Sequence, residues 1–227
     1  MDIPLANTVS AYAIILSGST VLLFCWFVAP QPRRWVAVYA AVFITSLPTV
    51  WFHGFGETFW AGVFDGGTNL LLAWLLQIAA LWDEGAYKPR TRTIIASVTG
   101  IANLLAIAAK VSQGPASSRI FPVRFGDFGG FTLNELVLIA NSILAVGFLY
   151  GRHKSLSVRS RPLLYLSTFF FLVGSALATA SNQQVDFIIL AYHATWHIVG
   201  AFGFLFLWAF NHVRFEQVRP VDSTSGV

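Results

Sequence analysis

Polar positions are not spread evenly along this chain. They gather in short clusters that separate long apolar runs, and within those runs apolar residues follow one another without the strict alternation of a barrel strand. Seven runs approach the roughly 20 residues that an α-helix needs to cross the hydrocarbon core of a bilayer. They fall at about 8–29, 35–53, 65–82, 93–111, 133–150, 162–181 and 187–210. The pattern predicts an all-α membrane protein, a bundle of seven transmembrane helices. Turn chemistry marks the connections: Pro30 and Pro32 close the first run, Gly54 and Gly56 follow the second, and Gly129-Gly130 precede the fifth.

Composition sharpens this picture. The chain has 227 residues, of which 56% are hydrophobic and 11% charged; soluble domains carry roughly 25% charged residues. No hydrophilic block is long enough for a second domain. One membrane domain over 1–214 and a polar tail over 215–227 are therefore expected. The net charge of +4 does not point to nucleic acid, because the basic residues flank apolar helices. With seven spans, the odd loops and the tail share one side and hold Arg33, Arg34, Lys88, Arg90, Arg92, Arg152, Lys154, Arg159, Arg161, Arg214 and Arg219. The other side holds Lys110, Arg119 and Arg124, so the fourteen basic residues divide eleven to three. The positive-inside rule then places the N-terminus on the extracytoplasmic (periplasmic or lumenal) side and the C-terminus in the cytoplasm. Cys25 is the only cysteine, which excludes an intramolecular disulfide. The first run lacks the basic leader and small-residue cleavage site of a signal peptide and is expected to stay as a span.

Ionisable groups in a bilayer are costly and point to function by default. Of five histidines, His153 and His212 fall in basic segments and read as loop or interface residues. His53 ends the second run, Asp65 opens the third, and His193 and His197 stand near the start of the seventh. The alternation of spans brings all four to one depth, near the extracytoplasmic face. His193 and His197 have the i, i+4 spacing that stacks two imidazoles on one helical face, as in zinc sites that draw two ligands from one rigid element. With His53 as a third nitrogen ligand and a fourth position left for water, the set has the pattern of a catalytic Zn2+ site.

Asp65 has three readings: a general base, a group that orients a histidine, or a cap on the third helix. Thr49 and Ser46 lie four and seven residues before His53, on its face. Either could hydrogen-bond a substrate carbonyl as negative charge develops, or bond back to its own helix. Asn69, one turn beyond Asp65, is placed to hold it, and Glu135 near the start of the fifth run is either a supporting carboxylate or a favourable charge at a helix N-terminus.

The order of these residues resembles the CREST superfamily of seven-span membrane metal hydrolases, which includes alkaline ceramidases, progestin and adiponectin receptors, and lipid-remodelling proteins of GPI anchors. The string Tyr192-His-Ala-Thr-Trp-His-Ile-Val-Gly200 is similar to the alkaline ceramidase motif around its last two histidines. The resemblance covers the seven-span plan and about five motif positions. It implies zinc on His53, His193 and His197, with Asp65 handling the water or its proton. The family's serine position is occupied here by Thr49, with Ser46 as the other hydroxyl. The acidic calcium-binding stretch of the ceramidases has no counterpart in the first seven residues.

The expected function is thus zinc-dependent hydrolysis of a lipid amide, with a ceramide-like membrane lipid entering from the bilayer as substrate and no obligate protein partner evident. A receptor with a structural zinc site and a lipid ester hydrolase of the GPI-remodelling kind are the alternatives.

Overall fold

With no water inside a bilayer to satisfy backbone groups, an apolar run must hydrogen-bond within itself, and the helix is the local solution. The computed structural model describes residues 3–56, 58–112, 133–151, 153–181 and 192–216; for 3, 4, 153, 178–181, 192 and 193 it describes the backbone alone. Among the described residues it contains no strand and seven α-helices: α1 Ile3–Phe27, α2 Arg33–Phe55, α3 Phe59–Glu84, α4 Pro89–Ser112, α5 Leu133–Gly151, α6 Arg161–Ser181 and α7 Tyr192–Glu216. A short 3-10 turn, His153–Ser155, lies between α5 and α6.

Six of these helices are long and apolar enough to cross a membrane; in α6 the apolar stretch among the described residues, Arg161–Leu177, is shorter. Large apolar side chains point outward along the bundle. Leu16, Leu104, Ile143 and Leu172 are each 65–67% exposed, a surface that suits lipid and not water. The chain is therefore a multi-pass α-helical membrane protein. The tail beyond Glu216 lies outside the described residues, as do the loops over 113–132 and 182–191 that carry Arg119, Arg124 and Gly129-Gly130.

The helices pack in the order α6–α7–α1–α2–α3–α5, with α4 laid against α3 and α5. Gly18 sets how closely α1 meets α2, since a Cβ there would stand 2.8 Å from the Phe43 backbone nitrogen.

One end of the bundle is tied by a charged cluster, which we call the arginine end. The buried Asp83 carboxylate at the end of α3 accepts from Arg34 Nε at 2.6 Å and from Trp35 Nε1 at 2.7 Å, and pairs with Arg214 of α7. The Arg214 guanidinium packs over the rings of Trp35, Phe210 and Phe215. Just inside, Asn211 donates to the Tyr39 hydroxyl (2.8 Å), which donates to Gln31 (3.1 Å). In a medium that offers no competing water, such interhelical polar contacts fix which helices adjoin.

At the opposite, histidine end, the turn from α2 to α3 is short. Gly56 takes φ +115°, a left-handed conformation that a side chain would strain. Thr58 then caps α3, its hydroxyl accepting from the Ala61 amide at 3.3 Å. The third helix consequently begins six residues before Asp65, where the sequence places its start. The cap is Thr58 and not Asp65, which stands in the second turn.

Candidate functional site

At the histidine end, polar groups come from α1, α2, α3, α4, α5 and α7. His53 is in the last turn of α2 and 9% exposed; His197 is in the second turn of α7 and 1% exposed. Their ring centroids lie 5.4 Å apart at an interplanar angle of 55°. Four helices separate the two histidines in the chain, and the packing of α1 between α2 and α7 is what pairs them. His193 occupies the first turn of α7, one turn before His197, and its side chain lies outside the described residues.

Thr49 and Asp65 form the second pair. The Thr49 hydroxyl lies 2.5 Å from Asp65 Oδ1 and 2.9 Å from the Thr45 carbonyl. Asn69 reaches back to Asp65, its Nδ2 standing 3.0 Å from the backbone oxygen and 3.4 Å from Oδ1. Thr49 is four residues before His53, so the residue that holds the carboxylate stands about one helical turn, roughly 6 Å along α2, from the histidine. Ser46, fully buried, donates to the Phe43 carbonyl of its own helix at 2.5 Å.

Three groups not singled out in the sequence complete the surroundings. On α1, Thr8 donates to the His53 carbonyl at 2.9 Å, satisfying one of the carbonyls that the end of α2 leaves without an intrahelical partner. Two residues on, Ser10 Oγ lies 2.9 Å from His197 Nδ1. On α4, Lys110 donates to the Gly62 carbonyl at 2.5 Å and lies within electrostatic reach of Asp65 and Glu135. Glu135 is in the first turn of α5. The signal for Thr8 and Ser10 was available: with alternating spans, the start of the first run shares its depth with the end of the second.

The donor set can be tested against zinc. Zinc–nitrogen bonds of about 2.0–2.1 Å put each imidazole centroid about 3.2 Å from the ion, so two ligands at a tetrahedral angle have centroids about 5.2 Å apart. The 5.4 Å between His53 and His197 is close to that figure and also falls in the ordinary range of packed rings, about 4.5–7 Å, as Trp196 and His197 do at 5.4 Å. Among the described residues no three His, Cys, Asp or Glu side chains converge into one ion-sized group; the imidazole that would complete a set of three is that of His193. His212, at the arginine end, instead stacks on Trp208 with centroids 5.0 Å apart.

No family model matches the sequence, and no curated protein matches it.

Proposed function

We propose that the chain is a zinc-dependent hydrolase of membrane lipid amides, with a ceramide-like lipid as substrate, and that α6 crosses the bilayer as the other six helices do. The observation that carries this reading is the pairing of His53 with His197, 5.4 Å apart, with the Thr49–Asp65 pair one turn away. Zinc would be held by His53, His193 and His197. When bound, it supplies Lewis acidity that lowers the pKa of water toward about 7 and polarises a carbonyl.

The remaining work falls to the chain. Asp65 takes a proton from the attacking water as the water oxygen bonds to the amide carbon. It returns that proton to the nitrogen as the carbon–nitrogen bond breaks, releasing a fatty acid and a sphingoid amine. Thr49 holds the Asp65 carboxylate during both transfers, and Asn69 supports it from below. The apolar exterior lets the substrate reach the site from the bilayer. The division of basic residues, eleven to three, supports an extracytoplasmic site and a cytoplasmic C-terminus.

The test is turnover by the purified chain in detergent micelles. Zinc-loaded protein should release fatty acid and sphingoid base from ceramide, and His53→Ala and His197→Ala should each abolish release. A loaded, folded protein that frees neither product refutes the reading, and release of fatty acid from an ester but not an amide would reassign the substrate.

A further inference from the structure

We propose that Ser10 is a positioning residue that fixes the ring tautomer of His197 and so presents Nε2, not Nδ1, to the cation; this rests on the zinc reading above. The argument is a count of protons. Ser10 Oγ is 3.0 Å from the Asn7 carbonyl and 2.9 Å from His197 Nδ1. A carbonyl oxygen only accepts, and a hydroxyl has one proton, so both contacts are hydrogen bonds at once only when that proton is directed to Asn7. The oxygen can then meet Nδ1 only as an acceptor, and Nδ1 must carry the hydrogen. A neutral imidazole has one N–H, so the lone pair that can bind a metal is on Nε2. The alternative tautomer would set two lone pairs against each other. Water cannot relieve that conflict, since Ser10 is 6% and His197 1% exposed.

Packing makes this arrangement rigid. Thr8 and Ser10 are two residues apart on α1, about 200° around the helix, and so face different neighbours. Thr8 bonds to the end of α2 and Ser10 to α7, the two helices between which α1 packs. One end of α1 thereby locates the His53 backbone and orients the His197 ring. The arrangement follows the general rule that a ligating histidine directs its second nitrogen to a hydrogen-bond acceptor, which sets ring orientation and basicity.

The experiment measures zinc affinity of the full chain in micelles by competition with a chromophoric chelator, alongside the visible spectrum of the cobalt-substituted protein. Ser10→Ala should weaken zinc binding by about 10–100-fold and alter the cobalt spectrum, a spectral change that the loss of one buried hydrogen bond with a merely structural role would not produce. Ser10→Thr keeps the hydroxyl and should restore affinity. Ser10→Cys, a poorer acceptor of similar volume, should fall between them and serves if the alanine variant does not fold. Equal affinity in wild type, S10A and S10C would overturn the role of Ser10 alone. A wild-type chain that takes up no zinc, or whose zinc is unaffected by His197→Ala, would overturn the metal reading and this inference with it.

Discussion

The hydroxyl of Thr49 and the carboxylate of Asp65 meet at 2.5 Å, joining α2 to α3 one turn from His53. Thr49 has one proton and a second acceptor, the Thr45 carbonyl at 2.9 Å. A bond to an ionised carboxylate is the stronger of the two, so the hydroxyl serves chiefly to hold Asp65. Thr49→Val should lower turnover of a ceramide substrate by about 10–100-fold, while Thr49→Ser retains activity. Asp65→Asn should cost about 10²–10⁴-fold and leave zinc content unchanged. Steady-state kinetics and metal analysis on the same preparations check both, and loss of zinc from D65N would argue that Asp65 binds the ion itself.

Seven helices were legible, and six of them as spans, because an apolar run of about 20 residues has one physical meaning in this composition. The shared depth of His53 and His197 was legible too, from the alternation of spans. Where α3 begins was not: Asp65 looks like a boundary, yet Phe59, Trp60, Val63 and Phe64 are apolar and Thr58 caps them into the helix. Thr8, Ser10 and Lys110 were missed for another reason. The alternation of spans gives Thr8 and Ser10 the depth of His53, but hydroxyls are common in apolar helices, and what each of them or Lys110 touches depends on which helices adjoin, which spacing along one chain does not encode. Arg34 and Arg214 were read only as orientation charges, whereas both are ion-pair partners of Asp83.

That cluster predicts a stability effect separable from activity. Asp83 is 6% exposed, and its removal would leave the Arg214 guanidinium among Trp35, Phe210 and Phe215 without its carboxylate. Breaking a buried pair from one side costs about 3–5 kcal/mol. Asp83→Ala should therefore unfold far more readily in denaturant-containing micelles. Asp83→Asn, which still accepts from Trp35, should be intermediate. Because the cluster is at the opposite end from the histidines, turnover per folded molecule should persist in both.

Lys110 predicts the reverse, an effect on activity with little on stability. A Cβ on Gly66 would stand 2.7 Å from Lys110 Nζ. The clash is with the tip of a flexible side chain, which can swing aside. Gly66→Ala should thus keep the protein folded but displace the ammonium from the Gly62 carbonyl and weaken its electrostatic reach to Asp65 and Glu135. Turnover should fall by about tenfold or more, and Lys110→Met should reproduce the loss. Full activity in both variants would show that Asp65 works without this neighbour.

Gly18 offers the sharpest packing test, because the atoms in the way are backbone. A Cβ there would lie 2.8 Å from Phe43 N and 3.0 Å from its Cα, so α1 and α2 must separate to admit one methyl group. Overpacking of this kind costs about 1–3 kcal/mol. The displacement should also reach the site, since Thr8 and Ser10 ride on α1 while His53 rides on α2. Gly18→Ala should therefore lower the unfolding midpoint and weaken zinc binding together. Gly147 in α5 supplies the control: a Cβ there meets nothing within 4 Å. Alanine in the interior of a helix is favoured over glycine by roughly 0.5–1 kcal/mol, so Gly147→Ala should hold or raise stability and leave zinc affinity untouched. If Gly18→Ala binds zinc as tightly as wild type while losing stability, α1 is a packing element without influence on the histidines.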